Sequence, residues 1–384
     1  MDHQARRNRA ERPDRRQRHQ PDPAADPLFR HRQSLMRRID PARLRAATER
    51  IVAAMGSDPA ETRLIADHLV RANLAGHDSH GVGMLPAYVR MLREGKLIPN
   101  QSLATITDAG AILVFDARRG FGAHMAHEAV ARAIVRAREI GAVTLSLRNS
   151  AHIGRIGTYG EQAATAGMGF IAYVNVADHH PISAPFGCGE PRLGTNPFVT
   201  AVPAPGGAVV LDMATTTIAH GKVRIARNKG EPVAEACLID AAGQPTTDPV
   251  PLIDRNEGAL QTFGLHKGSG LAIMCEIMAG AVAGGQRADE PEQDSILNSM
   301  FAVLINLDAL GGVARVAEGV AATRAHLTAA RRAPGFDQIQ LPGDPERAHA
   351  AQRTRDGIPI DNLTLAQITE AAASLGITDF AAML

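Results

Sequence analysis

The chain has 384 residues, of which 45% are hydrophobic and 21% charged, and its formal net charge is +1. This composition is ordinary for a globular protein and argues against a fibrous or wholly disordered chain. No apolar run reaches the length of a membrane span, and the basic start lacks the apolar core of a signal peptide. The three cysteines (Cys188, Cys237 and Cys275) are widely spaced, which argues against a disulfide frame or a zinc cluster. We therefore expect a cytoplasmic globular protein.

The positive charge is concentrated at the start of the chain. Residues 1–38 contain 11 Arg against 5 Asp and Glu, an excess of six that leaves the remainder at −5. Because this segment has few apolar side chains to bury, we predict that residues 1–38 form a disordered basic extension. Met36 lies directly before the first helical pattern and is a candidate for the true start. The alternative is a nucleic-acid-binding arm, but no nucleic-acid-binding motif accompanies the arginines.

Helical periodicity dominates the region after this extension. Asp40 is a candidate N-cap, and it precedes a proline at the first helical position. Short strands joined by a turn are predicted at 104–116. We assign residues 39–118 to an N-terminal helical segment. Its helices are predicted at 41–56, 58–76 and 86–95.

The middle of the chain, residues 119–332, has mixed α/β patterning, and residues 333–384 return to helical periodicity. Thr158 and Glu161 have the spacing of a capping box. Helices are predicted at 121–140, 158–167, 216–227, 267–284, 315–332, 345–355 and 364–375. Strands are predicted at 142–147, 170–176, 197–202, 208–211, 235–239 and 301–307.

The usual signatures of nucleotide and nucleophile sites are missing. No G-x-G-x-x-G run lies between a predicted strand and a helix, so a Rossmann dinucleotide site is not indicated. The chain also lacks a G-x-x-x-x-G-K-[ST] phosphate loop and a G-x-S-x-G nucleophile elbow. Five loops rich in glycine and polar residues remain as candidate sites, at 76–88, 147–159, 185–197, 211–222 and 263–270.

The histidines and the lysine in these loops allow more than one interpretation. His152 follows a predicted strand and precedes Gly154, and imidazole exchanges a proton near neutral pH, but a loop can also simply tolerate it. His77 and His80 end a helix, where they would cap carbonyls or, on weaker evidence, bind a metal. Lys267 begins a helix, where backbone amides and an ammonium suit an anion. His179 and His180 indicate an exposed turn.

Together the five loops and a later turn resemble one family, the non-Rossmann malate/L-lactate dehydrogenases. The resemblance covers residues 40–384. It implies interconversion of a 2-oxo acid and a 2-hydroxy acid with NAD or NADP, and a homodimer. It also implies an NAD(P)-binding α/β domain with a largely antiparallel sheet flanked by helices, and a helical domain in which the C-terminal segment packs with the N-terminal one. The motifs that carry it are Ser79-His80-Gly81 with Tyr88, "NSAHIGRIG" at 149–157, "PFG" and "GTNP" between 185 and 197, "DMAT" at 212–215, "HKGSGL" at 266–271 and "LPGDPE" at 341–346.

The resemblance also implies roles for individual residues. His152 would be the general acid/base, with His80 as the alternative, while Ser79 and Tyr88 would line the substrate pocket. No metal is implied. The residues it implies for the nucleotide are Asp212, Met213, Ala214, His266, Lys267, Gly343, Asp344 and Pro345, with Asn175, Thr195 and Asn196 bordering the nicotinamide.

One pocket position departs from the family pattern. Many relatives place an arginine five positions after the serine of Ser-His-Gly, and this chain has Met84 there. A substrate carboxylate needs a cation, and we hypothesise that Arg155 supplies it. Met84 makes the pocket wall more apolar, which predicts a bulky or aromatic substrate side chain.

Three rival functions stay open on the sequence alone. The first is a cyclic imino acid reductase of the same family, and the second is a metal-dependent hydrolase that uses His77, His80 and His152. The third is nucleic-acid binding through the arginine-rich extension. The choice between NAD and NADP is also open, because the usual ribose signature belongs to a fold that this sequence lacks.

Overall fold

The computed structural model describes residues 36–384, so most of the predicted basic extension lies outside the described residues. Thirteen strands are present in that range. They are Met36–Ile39 (β1), Ala104–Ala109 (β2), Ile112–Asp116 (β3), Ala142–Ala151 (β4), Met168–Ala177 (β5), Ser183–Ala184 (β6), Phe198–Val202 (β7), Val209–Met213 (β8), Leu238–Ile239 (β9), Pro245–Thr246 (β10), Ala259–Gln261 (β11), Leu297–Asn306 (β12) and Ile358–Asp361 (β13).

Twelve α-helices are interspersed among these strands in the described range. Two short 3₁₀ turns, Asp78–His80 and Val82–Met84, follow the second helix, and a π-helical stretch at Ile277–Val282 continues the eighth. The α-helices are Pro41–Ala54 (α1), Pro59–Leu74 (α2), Leu85–Arg93 (α3), Gly122–Ile140 (α4), Gly157–Thr165 (α5), His220–Lys229 (α6), Val250–Arg255 (α7), His266–Glu276 (α8), Val313–Thr328 (α9), Asp344–Asp356 (α10), Asn362–Ala373 (α11) and Phe380–Met383 (α12).

A seven-stranded sheet in the order β2-β3-β4-β12-β5-β7-β8 forms the centre of the fold. All neighbouring strands pair antiparallel except β3 and β4. It follows that β4, β5 and β8 run in the same direction, so their carboxyl ends share one edge of the sheet. The segments after these strands carry His152, His179 and Ala214, which places three candidate loops on one side of the molecule. The prediction of a mixed α/β fold is confirmed.

Helix α4 packs closely on the sheet because its buried face consists mainly of small residues. Ala126, Ala129 and Ala133 are fully buried in the core shared with β4 and β12. At the start of the helix, a Cβ on Gly122 would lie 2.1 Å from the carbonyl oxygen of Ala151. Only glycine lets the helix begin this close to the end of β4, next to His152.

A second core joins the two ends of the described chain. It combines Ile39 and Leu44 near the start with Ile368 and Phe380 near the end. Strand β1 pairs antiparallel with β13. The predicted boundary at residue 38 is therefore wrong, because Met36–Ile39 is ordered by a strand partner more than three hundred positions away, which no local pattern reveals.

Three other local expectations are also corrected. The boundary at 118 falls inside the central sheet, because β2 pairs with β3 and β3 pairs with β4, so these strands do not belong to a helical segment. Thr158 and Glu161 form no capping box, since Thr158 Oγ1 has no partner and Glu161 pairs with arginines instead. Helix α6 begins at His220 and not at 216, because the Thr217 N–H donates to Gln261 in a strand-like pairing.

The predicted cap of the first helix is confirmed. The Asp40 carboxylate accepts from the Ala42 and Arg43 N–H groups at 2.9 and 3.0 Å. Asp58 does the same at the start of α2, at 2.8 Å to both Ala60 and Glu61. Each carboxylate satisfies amides that the first turn of a helix leaves free.

We expect Ile39→Ala to destabilise the protein by about 2–5 kcal/mol, because Ile39 is 1% exposed in the core that joins the chain ends. Urea unfolding measures this change. Met36→Ala is the matched control on the same strand, and its 37% exposed side chain should change stability by no more than about 0.5 kcal/mol. Equal effects of the two substitutions would contradict the assignment of β1 to this core.

Candidate active site

A cleft of about 1930 Å³ opens where four of the five predicted loops meet. Ser79 and His80 come from the first 3₁₀ turn, His152 from the loop after β4, and Asp212 from the end of β8. Pockets for drug-sized ligands measure roughly 300–1,000 Å³, so this larger cleft has room for a dinucleotide together with a small acid. The other predicted site residues that line it are Met84, Arg155, Thr195, Met213, Ala214 and Pro345.

Two imidazoles face each other in this cleft. The rings of His80 and His152 are stacked, with centroids 5.5 Å apart and planes 15° from parallel. Each ring is held through its Nδ1 atom. The Tyr88 hydroxyl lies 2.8 Å from His152 Nδ1, and Ser79 Oγ lies 3.0 Å from His80 Nδ1. The Nε2 atom of each ring is thereby left to a ligand.

Burial controls the protonation of these groups. It lowers the pKa of His80 to about 4, against a smaller opposing effect of the Asp212 carboxylate. Burial also lowers the pKa of His152 well below its ordinary value, and the neighbouring His80 adds to the effect. The same desolvation raises the pKa of Tyr88, so its phenol stays protonated. Both imidazoles are therefore neutral at pH 7 and able to accept a proton.

Helix α2 holds both histidine loops. Its His68, buried and with a pKa lowered by burial to about 3, accepts the Arg155 N–H through Nε2 at 3.1 Å. A Cβ on Gly154, whose φ is +71°, would lie 2.1 Å from that nitrogen. Its Asn73 accepts the Val82 N–H and donates to Asp78, at 2.9 and 2.7 Å, on either side of His80. Sequence reasoning missed His68 and Asn73, because within the helix they look like ordinary polar residues.

Arg155 is buried below the cleft surface, with 3% of its side chain exposed. Nη1 contacts Glu161 at 2.8 Å, and Nε lies 3.4 Å from an Asp212 oxygen without hydrogen-bond geometry. The same Asp212 oxygen accepts the Gly157 N–H at 2.9 Å, at the start of α5. The structure thus links the loop that carries His152 to the end of β8.

Asn175 and Asn196 do not reach the cleft. Both are fully buried, and both amides donate to the carboxylate of Glu276 on α8, at 3.3 and 2.8 Å. Ser299 N–H donates to Asn175 at 3.2 Å. These residues therefore brace the strands behind the cleft wall. No sequence motif marked Glu276 as their shared partner.

The remaining predicted nucleotide residues lie at the edges of the site. His266 and Lys267 are exposed at the start of α8, outside the cleft lining. The centroids of the His266 and Phe186 rings are 6.0 Å apart. Asp344 accepts from Arg324 at 3.0 Å and pairs with Arg347. Gly343, at φ +92°, precedes α10 in a left-handed conformation that favours glycine.

Further histidines line the cleft besides His80 and His152. His179, predicted to lie in an exposed turn, is half-buried and lines the cleft, and so does His220 at the start of α6. Burial lowers the pKa of both, in His220 to about 4. His180 is exposed, as predicted. The turn faces inward because β5 ends at the same edge of the sheet as β4 and β8.

From residue 36 to the end, no cluster of three or more His, Cys, Asp or Glu side chains is placed to hold a metal ion. Within the same range, no helix is both long and apolar enough to cross a membrane.

Comparison with known proteins decides the family. A sequence profile described as malate/L-lactate dehydrogenase matches residues 39–369. The chain belongs to this family. Hydroxycarboxylate dehydrogenase B from Escherichia coli (strain K12) is 41% identical over 349 residues, which cover 89% of this chain and 95% of the relative.

Solved structures of the family have the same fold. One assigned as a malate/lactate dehydrogenase from E. coli is 40% identical, with a TM-score of 0.86, and the match covers 90% of this chain and 98% of that one. The Δ1-piperideine-2-carboxylate reductase from Pseudomonas syringae pvar. tomato is 27% identical, with a TM-score of 0.75 over 88% and 100% of the two chains.

Family membership identifies the chain as an oxidoreductase of 2-hydroxy and 2-oxo acids that uses a nicotinamide cofactor. The resemblance found in the sequence is confirmed, and the metal-dependent hydrolase is set aside. The cleft fits such a cofactor in size and in charge. Lys222 and Arg224 on α6 line it, and cations of this kind suit a pyrophosphate.

Proposed function

We propose that His152 is the general acid/base of this dehydrogenase, with His80 as its stacked neighbour. The observation that carries the proposal is the 2.8 Å contact between Tyr88 and His152 Nδ1. A phenol oxygen can donate to a bare Nδ1 or accept from a protonated one, so Tyr88 can hold the ring in either charge state. His80 has a smaller partner in Ser79, which can do the same.

The bound nicotinamide supplies the hydride chemistry. During oxidation of a 2-hydroxy acid, Nε2 of neutral His152 accepts the hydroxyl proton while Nδ1–H donates to Tyr88. In the reverse direction, the imidazolium returns that proton to the carbonyl oxygen, and its lowered pKa makes it a strong acid for this step. The half-buried position limits the water that could compete for the proton.

Arg155 remains our proposal for the substrate carboxylate. Its Nε–H is buried without a hydrogen-bond acceptor, and the residue lines the cleft. Met84 also lines the cleft, half-buried against the second core. This apolar wall supports a substrate with a bulky or aromatic side chain.

The cofactor contacts proposed from the family motifs fall into two groups. Thr195, Asp212, Met213, Ala214 and Pro345 line the cleft and would contact the dinucleotide directly. His266, Lys267, Gly343 and Asp344 lie outside the lining and would act at its edges, whereas Asn175 and Asn196 would support it from behind through Glu276.

A homodimer is supported by the surface of α8 and its π-helical continuation. Ile273, Met274 and Ile277 are each more than 40% exposed there, and a second copy of the chain would cover such a face. Light scattering in solution measures the molar mass of the protein and so tests for the dimer. A cytoplasmic location is supported by Cys188, Cys237 and Cys275, all of which are free thiols.

A second substrate class is favoured by one observation, the shared fold of the piperideine-carboxylate reductase. A cyclic imino acid carries a carboxylate next to a C=N bond, so the same groups would serve it. Rates with a panel of 2-oxo acids and a cyclic imino acid, each with NADH and NADPH, separate the two reactions. Faster turnover of the imine would overturn the 2-oxo acid assignment.

We expect His152→Gln to lower kcat for 2-oxo acid reduction by about 10²–10⁴-fold, because it removes the proton donor. His80→Gln should lower it less, since that ring only stacks on the donor. Steady-state kinetics of both variants measures this difference, with His127→Gln, an exposed histidine of α4, as control. The reverse order of effects would assign the proton to His80.

We expect Arg155→Ala to raise KM for a 2-oxo acid by roughly 10–100-fold, because the substrate carboxylate would lose one charge-assisted hydrogen bond. The matched control is Arg71→Ala, which removes the other arginine on Glu161, at 3.1 Å, but lies outside the cleft lining. Thermal melting of both variants reports folding. An unchanged KM in a folded Arg155 variant would refute the anchor.

The pH dependence follows from the lowered pKa of His152. The neutral ring is the base for 2-hydroxy acid oxidation, so kcat/KM should stay level from pH 8 down to 6.5 and fall only below it. A pH–rate profile at saturating cofactor measures this fall of kcat/KM at low pH. A midpoint at or above the ordinary histidine value would contradict a desolvated base.

A further inference from the structure

A buried serine on the cleft wall has no hydrogen-bond partner. Ser295 is 1% exposed, its Oγ is unpaired, and the residue lines the cleft. A buried hydroxyl without a partner is costly and needs a reason. Its backbone is fixed, because the Ser295 N–H donates to the Asp178 carbonyl at 2.7 Å.

This backbone bond places Ser295 beside the turn that carries His179. The His179 Nδ1 lies 2.6 Å from the His180 carbonyl, so Nδ1 carries the proton and donates it. Burial lowers the pKa of His179 and keeps the ring neutral. Its Nε2 is then a hydrogen-bond acceptor that lines the same cleft as the Ser295 hydroxyl, which can donate.

We propose that Ser295 Oγ and His179 Nε2 form a polar subsite that binds a neutral group able both to donate and to accept hydrogen bonds. A hydroxyl or a carboxamide has this chemistry. A carboxylate lacks the donor and would face the lone pair of Nε2, and a methyl group would leave both protein atoms unpaired. The subsite rests on the proposed function, because its position beside His152 makes it part of the same cleft.

Two molecules in the reaction could present such a group. One is a 2-oxo acid with a hydroxyl on its side chain, and the other is the carboxamide of the nicotinamide ring. His152 feels the charge of His179, so the subsite lies near the group that we propose to carry the proton. In either case the bound group would fix the orientation of a reacting molecule.

The substrate source is tested with two matched pairs, pyruvate against 3-hydroxypyruvate and phenylpyruvate against its 4-hydroxy derivative. The cofactor source is tested by the Kd of NADH and NADPH against their 3-acetylpyridine analogues, whose acetyl group cannot donate a hydrogen bond. Fluorescence titration gives these Kd values without turnover. Both sets are measured for the wild type, Ser295→Ala and His179→Phe.

Ser183→Ala is the matched control. Ser183 is also fully buried with an unpaired Oγ, but it does not line the cleft. Both serine variants should raise the Tm of the ligand-free protein, because each removes an unsatisfied hydroxyl. Only Ser295→Ala should then change ligand recognition.

A wild-type preference of at least tenfold for one hydroxylated acid, lost in Ser295→Ala and His179→Phe, supports the subsite with the substrate as its ligand. If these two variants instead lose the wild-type Kd preference for the carboxamide cofactors over their acetyl analogues, the subsite is supported with the cofactor as its ligand. If neither preference exists, or both survive in the two variants, the subsite is refuted. Turnover of pyruvate or phenylpyruvate by the wild type tests the dehydrogenase activity separately.

Discussion

The active site depends on helix α2, which holds two loops that are far apart in the chain. His68 accepts a backbone N–H from the loop of His152, and Asn73 holds the turn of His80. Neither His80 nor His152 lies within a long regular element, because one is in a short 3₁₀ turn and the other follows the end of a strand. One rigid helix therefore sets the 5.5 Å separation of the two rings. A site that transfers a proton needs this kind of support, since misplacement by about 1 Å costs much of the rate.

Desolvation is the second constraint on the cleft. His80, His152, His179 and His220 all have lowered pKa values with burial as the largest cause. Neutral imidazoles offer one donor and one acceptor each, whereas imidazolium ions would offer donors only. The cleft therefore presents lone pairs as well as N–H groups to its ligands. Arg155 lies at the base of the cleft between Glu161 and Asp212.

Much of the secondary structure follows from local signals. Prolines and aspartates mark the starts of α1 and α2, and runs of alternating or continuous apolar residues mark β4, β5 and β7. The errors fall where a distant partner decides. Met36–Ile39 looks like the end of a polar extension until β13 pairs with it. Glu161 has the spacing of a capping residue, but Arg71 and Arg155 take its carboxylate.

The sequence by itself determined the family and the strongest site candidates, because short motifs such as Ser79-His80-Gly81 and the loop of His152 keep their residue order whatever surrounds them. Only the tertiary structure decided how these residues act. It put Asn175 and Asn196 behind the cleft, and it turned His179 into the cleft beside the unpaired Ser295. The physical reason is that burial and hydrogen-bond partners arise between segments distant in the chain, and a linear pattern carries no record of them.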